Sequence, residues 1–436
     1  MLLGFPILVG QLGNIVTGFA DNIMVGHYST EALAAASFVN NLFNTAILGC
    51  VGFTYGLTPL VGALFAEGNS LRIGALTRLA MLINLVFTLL IMAVMTAVYF
   101  NLHHMGLPPE LLPTVRPYFL LVLAGMIPVT VFNVMLQWSY AIGNTALPMW
   151  ITLGGNVLNI AGNYLLIFGH GGFDAMGLTG AGISTLFSRL VCPAIILGVF
   201  FLARRNAGYS RGWREAAPRT GDSRLVWRTS CPVALQMMFE TGAFSGAAVL
   251  VGWLGAVPLA AYQIIVVVGM LGFCVYYSIG SAIAVKVSQA SATGPEPWRG
   301  MRHMAWAGYH IMLVFMVVAS VVFWFFGADI MSIFTDDAAV LALASSLIFP
   351  LVLYQLGDAT QVTFANALRG TAHVMPMLAI AFVSYIAVGL PSTYLLCFTA
   401  GLGLWGVVLS FSVSLFLAAA LFLFFFLRAT RRTVLN

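Results

Sequence analysis

Charge nearly disappears from this chain outside a few short stretches. Of 436 residues, 18 are Lys or Arg and 13 are Asp or Glu, so 7% are charged and 61% apolar. An average soluble domain is about 25% charged. Too few charges are present to cover a water-facing exterior, and a mean hydropathy of +0.99 makes the outer surface apolar as well. The solvent is therefore lipid. At about 20 residues per crossing of a 30 Å hydrocarbon core, the chain has room for roughly a dozen helices and short loops. That leaves almost no length for a globular catalytic domain, and no HExxH, GxSxG or phosphate-cradling loop occurs.

Hydropathy, broken at Gly, Pro and charge, predicts helices near 3 to 26, 32 to 62, 76 to 100, 115 to 137, 145 to 168 and 178 to 202. Six more follow near 226 to 252, 257 to 285, 302 to 326, 340 to 366, 374 to 397 and 403 to 427. The longest polar stretch separates the two sets and holds Arg204, Arg205, Arg211, Arg214, Arg219, Arg224 and Arg228. The expected organisation is an amino-terminal lobe (1–203), an Arg-rich cytoplasmic linker (204–225), a carboxy-terminal lobe (226–427) and a cytoplasmic tail (428–436).

Placing the linker inside also places both termini inside, together with Arg72, Arg78, Lys286, Arg299, Arg302, Arg369, Arg428, Arg431 and Arg432. The outer loops then carry Glu31, His103, His104, Glu110, Asp174, Asp329, Asp336 and Asp337, with Arg116 as their cation. This is the positive-inside pattern, so the basic pI of 9.0 indicates topology and not a nucleic-acid partner. The first apolar run continues past Ile23 and holds Pro6 and Asp21, unlike a cleavable signal peptide. Cys50, Cys192, Cys231, Cys274 and Cys397 sit in or beside apolar runs without CxxC spacing, so neither a disulfide nor a metal is expected of them.

The halves are related. A shift of 226 residues places Pro6 on Pro232, Val25-Gly26 on Val251-Gly252, and Leu33-Ala34-Ala35 on Leu259-Ala260-Ala261. The same shift carries Gly177-Leu178-Thr179-Gly180 onto Gly403-Leu404-Trp405-Gly406, and Ser184 onto Ser410. A constant offset at both ends of the half points to duplication. An even number of helices per half gives both copies the same orientation, which makes two bundles facing one another across a cleft.

Inside the spans the ionisable residues are Asp21, Glu240, Asp358 and Arg189, with His310 and His373 near ends. A charge at the bilayer centre costs about 2.5–3.5 kcal/mol, which rules out lipid-facing positions for the acids. One arginine cannot neutralise three carboxylates. What remains is bound cations, bound protons or a water-filled cavity open to cationic solutes. Glu240 lies twelve residues beyond Arg228, about 18 Å along a helix, and Asp358 eleven residues before Arg369, about 16 Å, so both reach mid-membrane. Tyr354, four residues before Asp358, shares its helix face and could ligate a cation or hydrogen-bond the acid. The alternative is a structural pair holding the seventh helix to the tenth.

In the first half Asn156, Asn159 and Asn163, spaced i, i+3, i+7, form one polar face of the fifth helix. Such a face serves either as helix glue or, with Asp21, Ser184 and Thr185, as an oxygen-rich site for a hard monovalent cation. Asp21 could instead take up a proton, or be merely interfacial. Pro6 opens the first helix fifteen residues before Asp21 and either permits a bend or lies harmlessly in the first turn.

These residues resemble the multidrug and toxic compound extrusion (MATE) family, NorM-like branch, over essentially the whole chain. The resemblance is carried by Asp21-Asn22-Ile23-Met24-Val25-Gly26, by Phe239-Glu240, and by Tyr354 to Asp358 followed by Ala367-Leu368-Arg369-Gly370. Gln263 resembles the helix-8 glutamine, although Tyr262 stands where many members have His. The resemblance implies an all-α membrane protein, a V-shaped pair of pseudo-two-fold-related six-helix lobes with twelve transmembrane helices. It further implies a monomer in a bacterial inner membrane that expels cationic amphiphiles by alternating access between the lobes, in exchange for Na+ or H+, with no other cofactor and no enzymatic activity. Residue by residue, Asp21, Asn159, Asn163 and Thr185 match the amino-lobe cation site, and Glu240, Tyr354 and Asp358 the carboxy-lobe one. Na+ would then sit at one of these two sets. The rival reading is a lipid-linked precursor flippase of the same superfamily. A polyanionic headgroup would call for arginines in the cleft, where acids stand instead.

Overall fold

In hydrocarbon, every backbone N–H and C=O must be satisfied within the chain, which leaves the long apolar runs no alternative to helix. The computed structural model, which describes residues 3–105 and 108–431, is helical in each of the twelve predicted regions. Arg432 of the basic tail lies outside the described residues. We number the helices α1 (Gly4–Tyr28), α2 (Thr30–Ala66), α3 (Ser70–Phe100), α4 (Pro109–Ala141), α5 (Ala146–Phe168) and α6 (Gly177–Leu202). Their counterparts are α7 (Asp222–Gly252), α8 (Ala256–Ala290), α9 (Pro297–Ser332), α10 (Ala338–Ser346 with Ile348–Gly370), α11 (Met375–Thr399) and α12 (Leu404–Ala429).

Among the described residues, ten of these helices are long and apolar enough to cross a membrane, and α10, bent by 49° at Leu347, makes an eleventh if its two parts are one span. Helix α1, 25 residues long, is not among them, because Gln11, Asn14, Asp21 and Asn22 make it too polar. A spanning helix with that many polar groups cannot face lipid over its whole circumference.

Helix ends extend past the apolar runs where caps permit. Asn69 accepts from the Arg72 N–H (3.2 Å) and starts α3 six residues before the expected 76. Ser29 caps α2, and Asp337 caps the first part of α10 through Ala339 (2.8 Å). Hydropathy does not register such caps, since the capping residues are polar. Pro6 falls at the third position of α1, where its missing N–H has no intrahelical acceptor in any case. Helix α11 is interrupted by two π-helical segments, Phe382–Gly389 and Leu395–Thr399.

The chain forms two compact units that divide within α7, between Ala234 and Leu235. In the amino unit α1 packs on α5 and α5 on α6, around a core that includes Val39, Phe43, Phe119 and Ile167. The Arg-rich stretch belongs to this unit and is folded. Its short helix Ala207–Glu215 lies against α3, where Gly74 and Gly212 let the two backbones touch. Arg78 donates to the carbonyls of Trp213 (2.6 Å) and Ala216 (3.1 Å), and Arg72 pairs with Asp222 at 3.5 Å. In the carboxy unit α10 packs against α8, α9 and α12, over a core including Val268, Leu347, Leu351 and Val407.

Candidate cation sites

The amino-unit group is assembled by the packing of α1, α5 and α6. The polar face of α5 turns Asn159 (4% exposed) and Asn163 (0%) inward, toward Asp21 of α1. Asn163 donates its amide to Asp21 Oδ1 at 2.5 Å. The orientation of the Asn159 amide that satisfies all its neighbours directs its NH2 to Asp21 Oδ1 (2.9 Å), while its oxygen accepts from the Thr185 N–H (3.2 Å) and hydroxyl (3.1 Å). Ser184 Oγ closes the set on the Asn159 carbonyl at 2.8 Å. One carboxylate is thus held by two amides and braced by two hydroxyl residues of α6. The Asn163 Oδ1 is buried and has no partner among the described residues.

Asn156 is not part of this group. It donates instead to Asn14 Oδ1 at 3.3 Å. Asn14 lies seven residues, about 10 Å, below Asp21 on the same helix, so the asparagine face splits into a ligand-type pair and one helix-to-helix contact. Asn14 had a legible signal, being spaced i, i+7 with Asp21. Arg189 comes within electrostatic reach of Asp21 and Tyr118 without forming an ion pair with the acid.

The carboxy-unit group is built from α7, α10 and α11. Glu240, half-buried, accepts the Gln236 amide at 2.7 Å, four residues earlier on α7. Asp358 on α10 is 2% exposed, and its Oδ2 has no partner among the described residues. Tyr354, one turn before it, lies within electrostatic reach of both acids. The Tyr354 ring also meets Phe244 and Phe411, at 6.5 and 6.4 Å between centroids. The structure thus brings together the two carboxylates and the phenol expected from the sequence. It adds Tyr385, 2% exposed, whose hydroxyl sits beside Glu240 without an aligned hydrogen bond. Tyr385 lies in the π-helical part of α11, whose wider turn shifts the side-chain register in a way that 3.6-residue periodicity does not anticipate. Gln236 was legible as the i−4 neighbour of Glu240. Gln263 is exposed on α8, unlike Asp358.

Chemically the two groups offer anionic and neutral oxygens, which suit protons or hard cations. Among the described residues, ion pairs form at Arg72–Asp222 and Arg299–Glu296 and not at Asp21, Glu240 or Asp358.

The sequence model of the MatE family matches this chain twice, over residues 6–165 and 232–395. The two matches begin 226 residues apart, the offset read from the repeat. The probable multidrug resistance protein NorM of Xanthomonas axonopodis pv. citri (strain 306) is 30% identical over 390 residues, covering 89% of this chain and 85% of that protein. The multidrug resistance protein NorM of Photobacterium profundum is 26% identical over 401 residues, 92% of this chain and 87% of its own. Among solved structures, an outward-facing multidrug resistance MATE family transporter of the MOP superfamily superposes with a TM-score of 0.89 at 18% identity, covering 100% of this chain and 95% of that one. A Pyrococcus furiosus MOP superfamily transporter, described as having a binding pocket of reverse polarity, superposes with a TM-score of 0.88 at 18% identity, covering 98% and 94%. At that identity the likeness is one of fold.

Proposed function

The chain belongs to the MatE family, and from that premise we propose that it is a NorM-like multidrug efflux antiporter, exporting organic cations across a bacterial inner membrane in exchange for Na+ or H+. It is a multi-pass membrane transporter and not an enzyme. The observation that carries the antiport reading is the state of Asp358: a carboxylate inside a spanning helix, 2% exposed, with one oxygen lacking any protein partner and, among the described residues, no basic side chain paired to it. Such a group is stabilised by a positive guest or a proton. An organic cation and an inorganic cation that both answer this demand displace each other, and exchange follows if the unloaded acids disfavour the switching intermediate.

The aromatic rings of Phe244, Tyr354 and Phe411 beside the acids supply apolar and cation-π surface of the kind an amphiphilic cation needs. The lipid-linked precursor reading is weaker, because a polyanionic cargo would meet carboxylates here. Both termini are assigned to the cytoplasm by the distribution of arginine.

The test is reconstitution into vesicles loaded with ethidium, given separately a Na+ gradient and a pH gradient. Ethidium movement driven by one of them supports antiport and names the ion. If neither gradient moves the dye, the antiport reading fails.

A further inference from the structure

Helices α8 and α10 pack side by side in the carboxy unit, and their seam has an unusual chemistry. On α8, Gly272, Tyr276 and Gly280 recur every four residues and so lie on one face. On α10, the Gln355 amide occupies the place that a Cβ on Gly272 would fill (2.7 Å from Oε1). The Asn366 amide does the same at Gly280, 2.7 Å from its Nδ2. Asp358 lies between them in the chain and interacts electrostatically with Tyr276.

Gln355 and Tyr276 are 0% exposed, Asp358 2% and Asn366 8%. Among the described residues, both amide atoms of Gln355, Asp358 Oδ2, Tyr276 Oη and Asn366 Oδ1 lack a protein partner. Buried polar atoms are hydrogen-bonded in folded proteins, to protein or to ordered water. Five such atoms on four residues along one seam, with donors and acceptors mixed, call for a ligand that both donates and accepts. Water does, and a bare cation does not.

We propose that a line of internal water runs along the α8–α10 seam, from Gln355 past Asp358 and Tyr276 to Asn366, and connects Asp358 to the Arg369 end of α10. The line spans eleven residues of helix, about 16 Å. Its purpose, delivery of a proton or small cation to Asp358, rests on the antiport reading above, whereas its existence does not.

The test compares two buried tyrosines in the full chain held in lipid nanodiscs. A millisecond X-ray pulse in 18O water generates hydroxyl radicals from bound water, and mass spectrometry measures label on each tyrosine. Tyr262 is the control: it is 2% exposed, and its hydroxyl is occupied by the Phe244 carbonyl at 3.0 Å. Tyr276 is expected to label several-fold faster than Tyr262, and equal rates would overturn the proposal. Asn366→Leu is then expected to reduce Tyr276 labelling toward the Tyr262 rate and to slow dye efflux several-fold, with Asn366→Ser restoring both. Tyr276 labelling that is unchanged in a folded Asn366→Leu protein also overturns the continuous line. Should that variant not fold, the ratio of the two tyrosines in the unaltered chain still decides. Fast Tyr276 labelling in a protein that neither gradient drives would leave the water line standing and remove the transport reading instead.

Discussion

The two units answer the same problem, a carboxylate inside a membrane helix, in different ways. In the amino unit Asp21 receives two amide hydrogen bonds, from Asn163 and Asn159, and the second amide is braced in turn by Thr185. In the carboxy unit Glu240 receives one, from Gln236, and Asp358 keeps an oxygen without a protein partner. The surrounding residues differ likewise. Beside Asp21 the leftover atom is Asn163 Oδ1, whereas near Asp358 the set without a partner among the described residues includes Tyr276 Oη and both amide atoms of Gln355. The amino site is organised largely by the protein. Among the described residues the carboxy site keeps more polar atoms without a protein partner, so the duplicated fold holds two acid sites that are satisfied to different degrees.

The largest expected effect separates function from folding. Glu240→Gln and Asp358→Asn should each lower the initial rate of ethidium efflux by about a hundredfold, the equivalent of the 2.5–3.5 kcal/mol with which a buried charge demands compensation. Both variants should remain folded and monodisperse in detergent, because the protein makes few bonds to either acid. Normal efflux in Glu240→Gln would remove that residue from the mechanism. Efflux lost together with folding would show that the carboxy site is as protein-dependent as the amino one.

A smaller effect of opposite sign in the two units follows. Asp21→Asn replaces the charge-assisted hydrogen bonds at the oxygen that Asn159 and Asn163 already share by neutral ones, which should lower stability by about 1–2 kcal/mol. Asp358→Asn removes a buried carboxylate, one oxygen of which has no partner among the described residues, and should raise the thermal midpoint. Paired melting curves in the same detergent check both. A fall for Asp358→Asn would mean that this acid has protein partners, and the contrast between the units would be broken.

Much of this contrast was legible in the sequence, and the part that was not has physical causes. Charge scarcity and the offset of 226 residues led to twelve helices and two related halves, because lipid leaves an apolar segment few choices. The i, i+4 spacing of Asn159 and Asn163 put both on one face, and Asp21 was the acid available to meet it. The same periodicity also drew in Asn156, although that residue pairs with Asn14. A helix face indicates which side chains point together but not where the neighbouring helix crosses. Tyr385 escaped notice because its position depends on a π-helical turn, and Gln355 because glutamine in a spanning helix looks like glue until its partners can be counted. The Arg-rich stretch read as a linker, whereas Gly74 and Gly212 allow it to pack as a helix on α3.

The smallest expected effect tests the contrast at single hydroxyl groups. Thr185→Val keeps the shape of the side chain and deletes the hydroxyl that faces the Asn159 amide, so the amide loses one of its bonds while its other neighbours stay in place. A net loss of about 0.5–1.5 kcal/mol follows from one hydrogen bond in a closed set. Ser412→Ala in α12 deletes a buried hydroxyl, 3% exposed, that has no partner among the described residues, so no bond is lost and the cost of burying the group is relieved. Its midpoint should stay level or rise slightly. Both substitutions remove one oxygen from a packed interior, so a similar fall in both would trace the effect to packing. A fall in Thr185→Val alone ties it to the hydrogen-bond set around Asp21, which is the property that distinguishes the two units.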